Sequence, residues 1–372
     1  MKIGIVVPFS WSFWGAVLEH AELKSEALRR RGHDVKIVIG NDPPGTFTRA
    51  LHPRHGRHDD PPPDVIAVGR TVIVPANGSL PNLCLSPNVP FKLKRIFAEE
   101  QFDVLHLHEP MTPAICVSTL AVAKCAMVGT FHAAGELGWM SFGMPFWGFL
   151  LDRLDHRIAV SDEAAASVKR WVPKLDWEGI PNGVLIPPDA DAGSRENTIV
   201  FIGRHDKRKG MPVLLRAWPD IRRRTGARLR LIGADPLAVQ LELARNRIPN
   251  EGIDILGFLS QEKLTEELLR AKALAVPSVG MESFGMVLTR GMACAVPVVA
   301  SDIPGYRAVM TDDTGVLVPA GDSPALADAL VELLGDEPRR ARIGASGRRL
   351  AIERYSWDTI AARLEQIYEE VA

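Results

Sequence analysis

The alternation of short apolar runs with longer helical stretches constrains the fold of this chain more than any other feature. Runs such as IGIVVPF at 3–9, IVFIG at 199–203 and PVVA at 297–300 carry apolar side chains at consecutive positions. A strand that is apolar on both faces lies inside a sheet covered on both sides, and parallel strands need a crossover, usually a helix, between them. The alternation therefore predicts βαβ units built on parallel sheets.

The predicted strands form two sets, one in each half of the chain. The first set covers residues 3–9, 35–39, 65–74, 103–108, 127–131 and 157–160. The second set covers residues 199–203, 228–233, 253–256, 273–277, 297–300 and 315–318. Because 372 residues are too many for one ordinary core, we predict an α/β protein with two doubly wound, Rossmann-like domains.

The domain boundary is predicted from composition. The segment 187–197 (PPDADAGSREN) is polar, begins with two prolines and precedes a new strand. The first domain is then 1–186 and the second is 187–355. Residues 356–372 have apolar side chains at helical spacing after Ser356, a predicted N-cap, and are expected to form a terminal helix.

Charge and cysteine content argue against several classes of protein. The formal net charge is −1, so no overall field attracts nucleic acid and no nucleic-acid partner is expected. The four cysteines are scattered without a Cys-x-x-Cys pair, which argues against a zinc site or a disulfide framework. The N-terminus has the pattern of a strand rather than of a signal peptide. We therefore expect a protein of the reducing cytoplasm without a zinc site.

Ligands of doubly wound domains bind beyond the carboxyl ends of the strands, so the residues after each strand are the candidates. GRHDKRKG at 203–210 follows one strand, and its Arg204 and Lys209 lie on either side of a short turn before a helix. Two fixed cations at the start of a helix suit a diphosphate. A solvated basic loop is the alternative.

The stretch MESFGMVL follows the strand at 273–277. Glu282 falls where a helix is expected to begin, Ser283 is a possible cap, and Gly285 would let an anion approach the backbone N–H groups at 284–287. A carboxylate beside phosphate is reasonable if it binds the neutral hydroxyls of a sugar carried by that phosphate. The alternative is an acid that only complements the helix dipole.

Two features of the first domain complete the candidate site. Gly15 opens the first helix, where backbone N–H groups are able to approach a phosphate, although a plain tight turn is the alternative. His132 follows the strand at 127–131 and would hydrogen-bond a sugar hydroxyl or a phosphate, unless it is structural. His106 and His108 are interpreted as scaffold, one facing the sheet covering and the other near the strand end.

The segment PFKLKRIF at 90–97 mixes cations with large apolar side chains. Lys92, Lys94 and Arg95 stand beside Phe91, Ile96 and Phe97. A helix of this composition suits an anionic membrane surface. A solvated helix face is the alternative.

Taken together and in order, these motifs resemble the GT4 family of retaining, nucleotide-sugar-dependent glycosyltransferases, which have the GT-B architecture. The resemblance covers essentially the whole chain, and within the family it is strongest to the actinobacterial phosphatidylinositol mannosyltransferases. The motifs that carry it are GAV near residue 15, DVLHLHEP, TFH, RIAVSD, IPNGV, FIGRHDKRKG, ESFGMVL, ACAVPVVASDIPGYR and RYSW.

The resemblance implies two Rossmann-like domains that face a cleft, with the terminal helix crossing back to the first domain. It implies catalytic roles for His132 beside the reacting region of the sugar and for Glu282 on the sugar hydroxyls. The implied donor-binding residues are Gly15, Ala16, Arg204, Lys209, Gly233, Leu259, Ser283, Phe284, Gly285, Met286, Val287 and Arg290. The implied membrane-binding residues are Lys92, Lys94 and Arg95.

The implied reaction is transfer of a hexose, with mannose as the first candidate, from a GDP- or UDP-type sugar to a lipid-linked or polyol acceptor at the membrane surface. The anomeric configuration would be retained, and neither metal nor cofactor would be needed, because cationic side chains and helix ends stabilise the leaving diphosphate. The alternatives are a soluble acceptor, such as a small thiol, a sugar phosphate or a polysaccharide, or a weakly active or non-catalytic relative that binds the nucleotide sugar.

Three positions depart from the family pattern around the donor. Arg290 stands where the family has a second glutamate, and a guanidinium cannot accept hydrogen bonds from ribose hydroxyls. Ala16 replaces the second glycine of the first loop, and its methyl group would crowd the phosphates. Ala295 replaces a glycine that normally ends a helix in the left-handed conformation. Together they suggest an unusual donor, weak turnover or an inactive relative, and Arg290 and Ala16 support the non-catalytic alternative.

Overall fold

Two parallel sheets with helices packed on them form the framework of the chain. The computed structural model describes residues 1–13, 15–42, 45, 60–74, 82–132, 144–170, 172–188, 190, 195–204, 206–280 and 282–372, with the backbone alone for 144–146. The chain divides into two units, Met1–Gly183 together with Trp357–Ala372, and Val184–Ser356. The predicted α/β class is confirmed.

The first unit is built on a seven-stranded sheet in the order β3-β2-β1-β6-β7-β8-β9 within the described residues. All of its pairings are parallel. The strands are β1 (Lys2–Ser10), β2 (Asp34–Gly40), β3 (Val65–Ala67), β6 (Val104–His108), β7 (Ala126–Phe131), β8 (His156–Ala159) and β9 (Glu178–Gly179). Its helices are α1 (Ala16–Arg30), α2 (Val89–Glu100), α3 (Ile115–Val122), α4 (Met144–Leu151), α5 (Asp162–Lys169) and the terminal α13 (Trp357–Val371).

The second unit has a six-stranded parallel sheet in the order β12-β11-β10-β13-β14-β15, the strand order of a Rossmann fold. The strands are β10 (Glu196–Ile202), β11 (Arg228–Ile232), β12 (Ile253–Gly257), β13 (Ala271–Val276), β14 (Val298–Ser301) and β15 (Gly315–Val318). The helices are α6 (Met211–Thr225), α7 (Pro236–Arg245), α8 (Gln261–Arg270), α9 (Met286–Ala293), α10 (Pro304–Arg307), α11 (Ser323–Gly335) and α12 (Glu337–Leu350).

The predicted strand 65–74 is wrong, because the structure contains two strands there. After β3 the chain turns at Gly69, and β4 (Val72–Ile73) pairs antiparallel with β5 (Asn82–Leu83) in a separate two-stranded ribbon. A Cβ atom at Gly69 would lie 2.8 Å from the Ser86 Oγ, so the turn packs closely against the segment after β5. The stretch 41–64, whose Pro, His and charge content predicts a surface loop or β-ribbon, lies mostly outside the described residues.

The terminal helix α13 packs on the first sheet and on α1. Trp357, Ile360, Leu364 and Tyr368 are buried in the same core as β1, β2 and α1. The Trp357 ring occupies the place that a Cβ atom would take at Gly183, at 2.4 Å. The chain returns to the first unit through this contact, which any side chain at position 183 would block.

Candidate functional site

The turn after β10 carries the two cations predicted to bind a diphosphate. Asp206 accepts hydrogen bonds from the backbone N–H of Arg208 at 2.9 Å and from its guanidinium at 3.0 and 2.8 Å, which shapes the short 3₁₀ turn Lys207–Lys209. Arg208 is therefore occupied within the turn. Arg204 is exposed at the end of β10, while Lys209 is half-buried at the end of the turn.

Close backbone packing joins this turn to the loop after β13. Gly210 has a φ of +71°, and a Cβ atom there would lie 1.7 Å from the Pro277 carbonyl oxygen. The Val279 N–H donates a hydrogen bond of 2.8 Å to the Arg208 carbonyl. Any residue other than glycine at position 210 would separate the two loops. Their contact brings Lys209 to the residue that follows Met281.

Lys209 and Glu282 form an ion pair, with 2.8 Å between Nζ and Oε1. The Glu282 side chain is 11 % exposed and that of Lys209 is 24 % exposed. Oε1 is buried and has no hydrogen bond of suitable geometry within the described part of the chain. The contact is therefore electrostatic rather than directional, and Oε1 keeps its capacity to accept a hydrogen bond from a ligand hydroxyl.

Helix α9 begins immediately after this pair. Its N-cap is Gly285, with a φ of +79°, and a Cβ atom there would lie 2.7 Å from the Tyr306 ring. The predicted cap Ser283 is wrong: the left-handed turn at Gly285 delays the helix to Met286, and no side chain caps it. The backbone N–H groups of Met286 and Val287 therefore have no partner within the helix, which is the arrangement that favours an anion.

The Phe284 side chain belongs to the core of the second unit. The side chain is 4 % exposed and packs edge-on against Tyr355, with 5.6 Å between ring centroids. The Tyr306 ring below Gly285 donates its O–H to Ser278 Oγ at 2.7 Å. Burial, followed by the nearby Glu282 carboxylate, raises the pKa of Tyr306 far above its usual value. The Tyr306 hydroxyl at the floor of the site is therefore buried, hydrogen-bonded and uncharged.

The remaining predicted donor residues of the second unit lie at the ends of β11 and β12 and on α9. Gly233 has a φ of +84° and donates its N–H to the Gly257 carbonyl at 2.6 Å, and Leu259 is half-buried just beyond. Arg290 is half-buried in the last turn of α9, where a cation complements the helix dipole. Its charge also acts on Cys294, whose pKa burial raises to about 11.

In the first unit, Gly15 opens α1 as predicted. Its backbone is extended, with a φ of −157°, and no side chain caps the helix. A Cβ atom at Gly15 would meet no protein atom within 4 Å, and Ala16 is exposed. The start of α1 is thus an open helix N-terminus, and the methyl group of Ala16 meets no steric conflict within this unit.

His132 lies at the end of β7, as predicted. Its ring also contacts other side chains of the first unit. Its Nε2 lies 2.8 Å from His108 Nδ1, and its backbone N–H donates to Glu109 Oε1 at 2.8 Å. Burial, and next the proximity of Lys24, lower the pKa of His132 to about 3, against a smaller opposing effect of Asn182. His132 is therefore uncharged at neutral pH.

The sequence reasoning missed Lys24, which lies in the middle of this histidine cluster. His20 and Lys24 are buried on the face of α1 that also buries Leu28, at the four-residue spacing of one helix face. A polar side chain within the apolar stripe of a helix was the sequence feature that indicated their burial. His106 and His108, interpreted from the sequence as scaffold, are both buried; being two residues apart on a strand they share one face, and both point toward Lys24.

The basic segment 90–97 forms most of α2, as predicted. Lys92 and Lys94 are exposed, and Arg95 donates to Glu99 at 2.7 Å. Phe91 is 80 % exposed, but Ile96 and Phe97 pack against the core, so Phe91 is the one exposed large apolar side chain of the three. Among the described residues, no helix is long and apolar enough to cross a membrane.

No group of three or more His, Cys, Asp or Glu side chains is placed to hold a metal ion within the residues that the structure describes. The titratable cluster around His132 holds a lysine and a tyrosine besides its histidines. The polar groups at the two predicted halves of the site are therefore cations, one carboxylate, neutral histidines and helix N-termini.

Comparison with known proteins identifies the family. The profile described as Glycosyltransferase Family 4 matches residues 19–185, and that described as Glycosyl transferases group 1 matches residues 196–336. A phosphatidyl-myo-inositol mannosyltransferase of Mycobacterium leprae is 35 % identical over 387 residues, covering 100 % of this chain and 97 % of the relative. A GDP-mannose-dependent alpha-(1-6)-phosphatidylinositol monomannoside mannosyltransferase of Mycobacterium tuberculosis is 28 % identical, covering 79 % and 82 %.

The fold comparison agrees with the sequence comparison. The crystal structure of Anabaena HepE in complex with UDP and glucose has a TM-score of 0.71 and 19 % identity, and covers 99 % of both chains. This likeness confirms the GT-B fold class. The full-length identity of 35 % and the two family profiles show that the chain belongs to the GT4 family of glycosyltransferases.

Proposed function

We propose that this glycosyltransferase moves a mannosyl residue, with retention of configuration, from GDP-mannose to a phosphatidylinositol-type lipid. The observation that carries the proposal is the ion pair of Lys209 and Glu282 beside the uncapped start of α9. A cation and free N–H groups suit a diphosphate, and an acceptor oxygen next to them suits the hydroxyls of the attached sugar. The names of the relatives support mannose, GDP and phosphatidylinositol.

The donor is held by residues of the second unit in this proposal. Arg204 and Lys209 bind the diphosphate, and the N–H groups of Met286 and Val287 bind its oxygens or the nearby sugar. When the diphosphate draws Lys209 toward itself, Glu282 is released to accept hydrogen bonds from the hexose. Because charge builds up on the diphosphate as it leaves, these donors bind the transition state more tightly than the ground state.

The chemical step needs no protein nucleophile. The bond between the anomeric carbon and the diphosphate oxygen breaks, and the diphosphate takes the electron pair. The acceptor hydroxyl oxygen forms the new bond on the same face of the sugar, and its proton passes to the departing diphosphate. His132, uncharged at neutral pH, hydrogen-bonds the sugar or the acceptor rather than carrying charge. No metal and no cofactor take part in this proposal.

The proposed acceptor requires contact with a membrane. Exposed Lys92, Lys94 and Phe91 on α2 supply two cations and one apolar side chain, which favour a cytoplasmic protein bound to an anionic membrane surface. Co-sedimentation with vesicles containing phosphatidylinositol tests this. The K92M/K94M double variant should lose binding, and K169M/K174M, which removes two other exposed lysines of the first unit, should keep it. Equal binding of both would show that α2 is not the membrane contact, and a wild-type protein that stays in the supernatant would favour a soluble acceptor.

The transfer reaction is tested with radiolabelled GDP-mannose, UDP-glucose and ADP-glucose, each with phosphatidylinositol vesicles in excess EDTA. We expect label in the lipid phase from GDP-mannose alone, with the anomeric configuration unchanged in the product. Label in a water-soluble product would identify a soluble acceptor. Activity that requires added metal would overturn the proposed metal independence.

The second candidate function is nucleotide-sugar binding without transfer. Arg290 favours it, because this residue stands at the position of the expected ribose-binding acid and occupies the last turn of α9 instead. Calorimetric titration with GDP, UDP and ADP tests whether the protein binds a nucleotide at all, which both candidate functions require. Binding of GDP without transfer to any acceptor would support the non-catalytic function.

A further inference from the structure

Five side chains of the first unit form one continuous chain of polar contacts. Tyr368 Oη on the terminal helix lies 2.5 Å from His106 Nδ1, and His106 Nε2 lies 3.1 Å from Lys24 Nζ. Lys24 Nζ lies 3.2 Å from His108 Nε2, and His108 Nδ1 lies 2.8 Å from His132 Nε2. These contacts therefore run from α13, through α1 and β6, to the predicted catalytic histidine.

Lys24 is enclosed at the centre of this chain. Its side chain is 1 % exposed, and its nitrogen contacts two histidines. No ion pair joins it to an acidic side chain within the described residues. Burial lowers the pKa of Lys24 well below its usual value, which favours the uncharged amine. An uncharged amine has two N–H donors and one lone pair.

The 2.8 Å contact between His108 and His132 contains one proton, because each neutral imidazole carries a single N–H. If Lys24 donates to His108 Nε2, His108 carries its proton on Nδ1 and donates it to His132 Nε2. His132 is then protonated on Nδ1. If Lys24 accepts instead, every donor on this branch reverses, and His132 is protonated on Nε2. The lysine thus decides which nitrogen of His132 carries the proton.

We propose that Lys24 is a positioning residue that donates to both His106 and His108 and thereby holds His132 with its proton on Nδ1 and with Nε2 as an acceptor. The two N–H groups of an amine match the two histidine nitrogens that face it, of which His106 Nε2 also lies 2.6 Å from the Thr130 Oγ1. The importance of His132 for glycosyl transfer rests on the proposed function, but the assignment of its tautomer does not.

The surroundings of His132 support the same assignment. Asn182 Oδ1 is buried and has no hydrogen-bond partner within the described part of the chain. The Asn182 side chain lies close enough to His132 to raise its pKa, so an acceptor is available beside the ring. The Nδ1 N–H is the ring donor that His108 leaves free, so it is available to Asn182 without substrate and to a sugar or acceptor oxygen when substrate is bound. His20, which packs edge-on against His132 at 4.9 Å, completes the enclosure.

Tautomers are measured from the ring nitrogens of histidine in two-bond ¹H–¹⁵N correlation spectra of ¹⁵N-labelled protein. We expect His132 to show a protonated Nδ1 and an unprotonated Nε2, unchanged between pH 6 and 9. The reverse pattern in the wild-type protein would overturn the inference, and this reading depends on no variant.

The variant Lys24→Met removes the donor and keeps a side chain of similar length. We expect the two tautomers of His132 to become mixed and kcat to fall about tenfold, while KM for the donor changes less than twofold. The control Ser25→Ala removes a buried hydroxyl whose one hydrogen bond among the described residues goes to the helix carbonyl of Ala21, and should leave the His132 spectrum unchanged. An unchanged His132 tautomer in Lys24→Met would refute the role of Lys24 even if activity fell. If the protein does not catalyse the proposed transfer, the spectra still show whether Lys24 sets the tautomer of His132.

Discussion

Lys209 Nζ and Glu282 Oε1 lie 2.8 Å apart, so the cation assigned to the diphosphate and the carboxylate assigned to the sugar neutralise each other when no donor is bound. Both side chains are partly screened by solvent, so the pair itself adds little stability. Its consequence concerns binding: a diphosphate competes with Glu282 for Lys209, and the carboxylate becomes available as the donor arrives. The pair thus holds both groups in place, and neither charge is left unpaired when no donor is bound.

The first prediction follows from this competition. Lys209→Met should weaken GDP binding about tenfold to a hundredfold, the loss expected for one charge-assisted contact. Lys207→Met is the matched control, because Lys207 belongs to the same turn and is exposed without a partner among the described residues. Calorimetric titration measures both. Equal losses in the two variants would show that the turn acts only through its overall charge.

Glu282→Gln separates the sugar contact from the phosphate contact. Removing the negative charge frees Lys209 and should leave GDP affinity unchanged or raise it a few-fold. The same variant should lower kcat for GDP-mannose by about a hundredfold, because the carboxylate accepts hydrogen bonds that strengthen in the transition state. Steady-state kinetics and calorimetry on one preparation give both values. A parallel loss of GDP affinity would contradict the assignment of Glu282 to the sugar.

Arg290→Glu restores the acid that the family pattern places on α9. We expect GDP affinity to rise about tenfold, since a carboxylate accepts hydrogen bonds from ribose hydroxyls and a guanidinium cannot. Stability should fall by about 0.5 kcal/mol, because the acid would stand in the last turn of the helix. Arg290→Gln is the control, as it removes the cation without supplying a carboxylate. Equal affinity gains in both variants would mean that the arginine only obstructs the pocket.

Ala295 adopts a φ of +53°, a left-handed conformation at the end of α9. Ala295→Gly should therefore stabilise the protein by about 1 kcal/mol, because glycine takes this conformation without a steric penalty. Ala293→Gly, two residues earlier inside the helix, should destabilise by a similar amount. Urea unfolding of the two variants measures the difference. Stabilisation by both, or by neither, would argue against a backbone cause.

The sequence predicted the strands well because they are continuous apolar runs, and the strand-end rule then located Arg204, Lys209 and Glu282. It failed where a structure depends on backbone conformation. Ser283 resembles a cap by composition, but the left-handed turn at Gly285 moves the start of the helix to Met286. The break between β3 and β4 likewise depends on how closely the turn packs against a later segment.

The histidine cluster was missed for a different reason. His20 and Lys24 are 82 or more residues from His106 and His108, and their contact exists only once α1 has packed on the sheet. A single polar residue in an apolar helix stripe is common at the edge of a core. Two polar residues one turn apart on a helix are informative when they face two histidines on one face of a strand. That contact depends on tertiary packing, so the sequence alone does not reveal it.

The last prediction concerns stability as pH falls. Burial lowers the pKa values of His20, His106 and His108 well below 6.5, and that of His132 to about 3, while burial also lowers the pKa of Lys24. The unfolded chain binds protons that the folded protein does not accept, so folding stability is lost as pH falls. Protonation of Lys24 in the unfolded chain lowers the free energy of unfolding below about pH 10.5, and protonation of the histidines lowers it further below about pH 6.5.

The free energy of unfolding should therefore decline gently from pH 9 to 7 and steepen below 6.5, by about 1.4 kcal/mol per pH unit for each histidine. Lys24→Met should flatten the upper part, and His20→Phe should reduce only the steep part. Glu100→Gln is the control: hydrogen bonds from Lys2 and then Lys36 lower the pKa of that carboxyl, so it acts below about 4.5 and leaves the window from pH 9 to 5 unchanged. Urea midpoints across this window measure all three. A flat profile in the wild type would mean that the cluster takes up protons in the folded state, which requires water or an anion to enter it.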